Sequence, residues 1–324
     1  MVTIRDVAKQ AGVSVTTVSR IINNQGHFSQ KTIEHVRYVM KELNYQPNEV
    51  ARTLGTKKSK MIALILPNQE LPVFGIYTAE IEKAAYESGY RIILCSSYLD
   101  KEKEKAGIEL LKKNMVDGII YGGFNTDLSN FQDIDIPAVT IGRKVSQLIP
   151  VVQADNVMAG KLAYNHLSAR GCSKILYLTG YSGGILLDEK YTGIREMEQQ
   201  KEACCYPYEI SLEMQLNYTM DSAVNQALLE HPDVDGIIAE TDLIAMKCIQ
   251  ICSGLGYDVP GKIKIIGFGN HFYSMHTNPP ITTIHEPIAQ IAAVAVEKLI
   301  KLISKEGNKR DVVIPVALIE RKTT

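Results

Sequence analysis

His271 and His276 share one polar stretch, a spacing at which imidazoles could hold a metal ion. No third ligand accompanies them, so no metal centre is expected. Gly180-x-x-Gly183-Gly184 is a glycine cluster, but it lacks the Gly-x-Gly-x-x-Gly order of a phosphate cradle and reads as a flexible loop after a strand. The chain has neither a Walker loop nor a Gly-x-Ser-x-Gly elbow. Its six cysteines show no Cys-x-x-Cys spacing, which suits reduced, buried thiols in a cytosolic chain. The expectation is a protein that is not an enzyme and uses no cofactor. What does stand out is charge. Residues 1–60 hold ten Lys and Arg against four Asp and Glu, a balance of +6, while the remainder carries −7. A basic head on an acidic body suits a polyanionic partner for the head alone.

Three short helices would carry that charge. Thr3-x-x-Asp6 is a capping box, followed by Ile4, Val7, Ala8 and Ala11 at helical spacing. Gly12-Val13-Ser14 breaks the helix, and Ser14 can cap a second one over about 15–23. Ser29 can cap a third, with Ile33, Val36, Met40 and Leu43 along one face. Two helices joined by a tight glycine turn and braced by a third match a helix-turn-helix, although other helical hairpins share the outline.

At 324 residues, 45% hydrophobic and 22% charged, the chain has the makings of two or three domains with sizeable cores. No apolar run approaches the roughly 18 residues of a membrane span. The first 30 residues, which include Arg5, Asp6 and Lys9, do not resemble a signal peptide, so a secreted or membrane protein is excluded. From Met61 onward strands and helices alternate: strands at 61–67, 91–97, 116–122, 138–141 and 151–154, with helices at 76–89 and 103–114 between them. A second set follows, with helices at 158–170, 189–200, 223–231 and 243–255 and strands at 174–180, 236–240 and 263–268. A helix at 288–304 and a strand at 312–318 complete the pattern. Such alternation means parallel sheets covered on both faces, and two similar lobes imply a ligand cleft between them.

The ordered run Thr3-Ile4-x-Asp6-Val7-Ala8-x-x-Ala11-Gly12-Val13-Ser14-x-x-Thr17-Val18-Ser19-Arg20-x-Ile22-Asn23 closely resembles the N-terminus of the LacI/GalR family of bacterial transcription regulators. So does Leu43-Asn44-Tyr45-Gln46-Pro47-Asn48, followed by Val50-Ala51-Arg52-x-Leu54. The resemblance covers the whole chain. It implies a small all-α helix-turn-helix head at 1–47, a hinge helix and linker at 48–60, and an α/β body at 61–324. The body would be two Rossmann-like lobes of the type I periplasmic-binding-protein-like kind, the first about 61–157 and 287–324, the second about 158–286.

The same resemblance lays the second helix in the major groove of a palindromic operator, with Val15 and Thr16 as the base-reading pair. Side chains this small imply apolar or single hydrogen-bond contacts. Arg20 can reach guanine or phosphate. Thr3, Ser14, Thr17, Ser19, Asn23, His27 and Ser29 are expected to position the head on phosphates, with capping as the competing role for Ser14 and Ser29. Asn48, Ala51 and Leu54 match a hinge that folds on DNA, pairs with its dimer mate and wedges Leu54 into the minor groove.

For the effector cleft the resemblance implies Asn68, Glu70, Phe74 and Asp155 on the first-lobe side. On the second-lobe side it implies Lys190, Thr241, Asp242, Gly269 and Asn270. Three of these depart from the family: Lys190 replaces an Arg, Thr241 an Asn, and Gly269 an Asp. Losing a carboxylate while keeping a cation favours an anionic effector such as a sugar phosphate. The alternatives are a neutral sugar held by other residues, or a decayed site. The expected protein is a cytoplasmic, homodimeric repressor of carbohydrate-utilisation genes, released by a small sugar or sugar phosphate. Its alternatives are regulation by a phosphoprotein corepressor, against which Ala289 and Glu297 count, and a sugar-binding module without regulatory role.

Overall fold

The computed structural model describes residues 2–23, 25–46, 59–98, 100–113, 116–123, 136–180 and 188–324, apart from the side chain of Leu212. The chain divides into two units, Met1–Ser59 and Lys60–Thr324.

In the first unit, α1 (Ile4–Ala11), α2 (Val15–Ile22) and α3 (Gln30–Glu42) enclose a core of Val7, Ala8, Ala11, Val18, Ile21, Val36 and Val39. The Asp6 carboxylate accepts from the Thr3 amide at 2.8 Å and the Thr3 hydroxyl at 2.7 Å, and these bonds hold its carboxyl below the ordinary range. Gly12 ends α1 at φ 65°, a left-handed conformation that favours glycine. Ser14 then turns the chain into α2, its Oγ accepting from the Thr17 amide at 3.0 Å, and Ser29 does the same for α3 from Thr32 at 3.2 Å. Capping is therefore a role that both serines fill. Ser14→Ala is expected to cost the head about 1 kcal/mol. Thermal unfolding of the head followed by circular dichroism measures this, and an unchanged midpoint would remove the cap from the account.

The second unit contains two six-stranded sheets. The first is built from β1 (Met61–Leu66), α4 (Pro72–Glu87), β2 (Arg91–Ser96), α5 (Lys101–Lys113), β3 (Gly118–Tyr121), β4 (Ala138–Ile141) and β5 (Val151–Ala154). The chain then passes into the second through α6 (Asn156–Ala169), β6 (Lys174–Thr179), α7 (Glu189–Glu198), β7 (Cys204–Glu209), α8 (Leu212–Leu216), α9 (Asp221–Glu230), β8 (Gly236–Ala239), α10 (Asp242–Gly254), β9 (Lys264–Gly269) and β10 (Thr282–His285). It returns through α11 (Ile288–Ile303) to β11 (Val312–Ile314) and ends these elements on β12 (Ala317–Ile319). The strand orders are β11-β5-β4-β3-β1-β2 and β12-β10-β9-β8-β6-β7, parallel throughout except for β12 against β10.

Continuous apolar strands suit sheets covered on both faces. Along β1, Ile62, Leu64 and Leu66 pack with Ile81 and Ala85 of α4 and Ile291 and Ala295 of α11, whereas Ala63 and Ile65 face Ile108 and Leu111 of α5. In the second sheet Leu176 and Leu178 join Val224, Leu228 and Cys248, while Ile175 and Tyr177 meet Ala163, Leu167 and Ile194. The six cysteines are free thiols, four of them buried.

The strand expected at 312–318 corrects to two strands in different sheets: of the 287–324 assigned to the first lobe, α11 and β11 stay with the first sheet and the chain from Ala317 joins the second. Pro315 supplies no amide to a ladder, so pairing with β5 stops at Ile314 and β12 pairs instead with β10. The chain thus passes between the sheets at 155–156, 286–287 and 315–316.

Candidate functional site

On the first unit, α2 turns Val18 and Ile21 into the core and leaves Val15 41% exposed, with Thr16 and Arg20 also exposed. The surrounding polar groups are held locally. Ser14 bonds Thr17 at 2.9 Å, Ser29 bonds Thr32 at 2.8 Å, and the Asn23 amide donates to the Ser19 carbonyl at 2.9 Å. Thr3 is engaged with Asp6, and His27 is exposed. Helix α2 thus exposes an apolar–hydroxyl pair, Val15 and Thr16, and a guanidinium, Arg20, one helical turn on. The expected hinge residues Asn48, Ala51 and Leu54 lie outside the described residues, as does most of the Gly180–Gly184 loop.

Within the second unit a cavity of about 370 Å³ lies between the lobes at the carboxyl ends of the strands. Its first-lobe wall includes Leu66, Phe74, Tyr77, Gly122, Gly123, Arg143 and Lys144, and its second-lobe wall Asp188, Glu189, Lys190, Glu240, Thr241, Phe268 and His271. Asn156 and Glu286 line it where the chain crosses between lobes.

Lys190 is the charged centre of the second-lobe wall. Its Nζ lies 3.8 Å from Glu240 Oε1 and 5.0 Å from the centre of the Phe268 ring, with the two charged side chains 19% and 14% exposed. Burial alone would lower the Lys190 ammonium, but the carboxylates of Glu240, Asp188 and Glu286 outweigh it and hold the group above its ordinary range. Burial pushes the Glu240 carboxyl up, offset in part by Lys190 and by the Gly180 amide, which donates to it. Asp188 is committed to structure: it caps α7 and accepts from the Tyr177 hydroxyl at 2.6 Å and Thr179 at 2.9 Å. Glu189 ties the lobes together by accepting from Gln153 at 2.9 Å and Asn156 at 3.0 Å. Tyr77 donates to Glu286 at 2.6 Å, and across the lobes the Tyr218 hydroxyl donates to the Glu70 carbonyl at 2.9 Å.

Of the nine expected cleft residues, Phe74, Lys190 and Thr241 line this cavity. The other six occupy different places. Asn68 is buried with its Oδ1 toward the Leu71 amide at 3.5 Å, Glu70 is exposed, and Asp155 caps α6 through the Met158 amide at 2.9 Å. Asp242 is fully buried, accepting from the Thr283 hydroxyl at 2.6 Å and the His271 amide at 2.8 Å, and burial pushes its carboxyl up to about 6. Asn270 accepts from Arg321 at 2.5 Å. At Gly269, φ is 119° and a Cβ would come within 2.6 Å of His271 Nε2.

Two of these findings revise the expected loss of an acid opposite Lys190. Glu240 supplies a carboxylate to Lys190 directly, and the His271 imidazole fills the space that a side chain at 269 would enter. Burial lowers His271, with Glu286 opposing, so it is neutral at pH 7. Neither residue was found from sequence as a cleft residue. The signal for Glu240 was its place directly after β8, the strand end at which such sheets bind ligands. Arg195 pairs with Glu198 at 3.3 Å and does not line the cavity.

Among the described residues, no group of three His, Cys, Asp or Glu side chains could hold a metal ion, and no helix is long and apolar enough to cross a membrane.

A three-helix head with an exposed α2 and a two-lobed α/β body with an interlobe cavity define a DNA-binding regulator with a ligand-sensing body. Residues 3–48 match the model of bacterial regulatory proteins of the lacI family, and residues 164–324 that of a periplasmic binding protein-like domain. The chain is 35% identical to a ribose operon repressor of Halalkalibacterium halodurans, over 100% of this chain and 97% of the relative. The Lac repressor dimer bound to operator and the anti-inducer ONPF superposes with a TM-score of 0.87 at 26% identity, covering 100% of this chain and 99% of that one. A periplasmic binding protein/LacI transcriptional regulator from Alkaliphilus metalliredigens QYMF, complexed with D-xylulofuranose, matches at TM-score 0.71 and 32% identity over 82% of this chain and 99% of that one. The chain belongs to the lacI family of bacterial transcriptional regulators.

Proposed function

We propose that this chain is a cytoplasmic, homodimeric repressor that binds a palindromic operator and releases it when a carbohydrate fills the interlobe cavity. The observation that carries the DNA half is α2, whose exposed Val15, Thr16 and Arg20 stand on a helix fixed by its own cap and core. The cavity carries the ligand half, since it pairs aromatic faces with a Lys–Glu pair and a neutral imidazole. The relatives named as a ribose operon repressor and as a D-xylulofuranose complex support the carbohydrate class. Closure of the lobes on a ligand changes the population of the operator-binding state, a coupling typically worth about 1–3 kcal/mol. Asn48, Ala51 and Leu54 would form the hinge that this change makes or breaks. No catalytic step is assigned to the cavity.

The test is titration of the full-length protein with a palindromic operator selected from a random pool, by fluorescence anisotropy at several salt concentrations. Arg20→Ala is expected to weaken specific binding by about tenfold or more, and either to lower the salt slope by about 1 or to relax one operator position. Recovery of no selected sequence by the wild-type protein would overturn the repressor reading, and an unchanged profile for the variant would remove Arg20 from the interface.

A further inference from the structure

Resting on the carbohydrate reading above, we infer that the Lys190–Glu240 pair selects the charge of the effector: the cavity takes an unphosphorylated sugar, by one of its vicinal diols, and rejects phosphorylated sugars. Lys190 only donates and an ionised Glu240 only accepts, and their charged atoms are 3.8 Å apart. Adjacent hydroxyls on a sugar ring satisfy both, one accepting from the ammonium and the other donating to the carboxylate. A phosphate dianion can use the ammonium, but it has no proton to give Glu240 and brings like charge against it.

The charge of the described wall also opposes an anion. Among the described lining residues stand four carboxylates, Asp188, Glu189, Glu240 and Glu286, and three cations, Arg143, Lys144 and Lys190. Lys144 is already paired with Asp311, while Arg143, which donates to the uncharged Gly123 carbonyl at 3.3 Å, keeps its charge on the first-lobe wall. His271, the remaining titratable group on the second-lobe wall, is lowered by burial and adds no positive charge near pH 7. The aromatic rings of Phe74 and Phe268 offer apolar faces to the C–H side of a sugar ring. At about 370 Å³ the cavity lies toward the lower end of small-molecule sites, which span roughly 300–1,000 Å³.

The experiment is isothermal titration of the full-length protein with D-ribose, D-xylulose and D-glucose, and with ribose 5-phosphate, xylulose 5-phosphate and glucose 6-phosphate. The neutral sugar that binds is expected to outcompete its own phosphate ester by about tenfold or more. In Glu240→Gln that ratio should fall to about threefold or less, because the amide keeps the shape of the side chain and removes its charge. A wild-type preference for an ester would overturn the charge filter while leaving the carbohydrate reading in place. So would an unchanged ratio in a folded Glu240→Gln variant. If that variant does not fold, the wild-type ratio decides alone. Binding of none of the six sugars by a protein that still holds its operator would overturn the carbohydrate reading, and the filter with it.

Discussion

Gly160→Ala is expected to cost the body about 3 kcal/mol, lower its melting midpoint by roughly 6–12 °C, and abolish release of operator by the effector. The reason is a crossing of helices with no side chain between them. A Cβ at Gly160 would sit 1.9 Å from the Lys190 carbonyl oxygen, and one at Gly193 would sit 2.0 Å from the Val157 carbonyl oxygen. Both partners are backbone, which cannot rotate aside as a flexible side chain can. A methyl group must therefore push α7 off α6. Because the obstructed carbonyl belongs to Lys190 itself, the same displacement carries its ammonium away from Glu240. Differential scanning fluorimetry and operator titration with effector read the two effects separately. A variant that melts within about 2 °C of wild type and still responds would show that the helices have room the crossing does not display.

Asp242→Ala is the second large effect, expected at about 2–4 kcal/mol. Its carboxylate is the acceptor for the buried His271 amide and the Thr283 hydroxyl, and alanine leaves the amide with nothing in its place. The same change frees the loop that carries the His271 imidazole, so effector affinity should fall with stability. Asp242→Asn keeps an acceptor and is expected to be far milder. The two carboxyl states give a further check. Burial raises Asp242 from 3.8 to about 6 in the folded chain, so the proton is held more tightly folded than unfolded. Stability from this group is full below pH 3.8 and is lost as pH rises through 6. Between about pH 5 and pH 7.5 the loss amounts to about 1.4 kcal/mol, which Asp242→Asn should lack. Urea unfolding of both proteins at the two pH values measures the difference, and equal pH dependence would show that Asp242 is not the group responsible.

Much of this was legible in the sequence, for physical reasons that differ by element. The head was readable because its signals are local: a capping box at Thr3, a left-handed glycine at 12 and a cap at Ser14 each act within four residues. The strands β4 and β5 were readable as short apolar runs buried on both faces. Strand β7 was missed because Cys204–Glu209 contains Pro207, which a central strand would not tolerate. Among the described residues it is an edge strand, paired only with β6, where a proline can be accommodated. Strand β12 was merged with β11 because the change of sheet at Pro315 is a tertiary fact that no local pattern announces.

The cavity was less legible than the fold. Lys190 was found from its motif, but the absence of an acid at Gly269 was read as a missing charge when the charge had moved to Glu240 and the volume to His271. A sequence position reports what a side chain is, not which neighbour has taken over its space. Asp242 shows the converse: a motif residue expected in the cleft works one layer behind it, holding the amide of the histidine that does line it.

The three passages of the chain between the sheets lie side by side, because β11 is paired with β5 and β12 with β10. A single crossing would let one lobe swivel on the other in any direction, and two would still permit a twist. Three adjacent crossings act as the knuckles of a door hinge, leaving one inexpensive degree of freedom, rotation about the line that joins them. A ligand in the cavity then works along one coordinate of the lobes, so ligands of different shape differ in their effect on the body only as different values of a single angle.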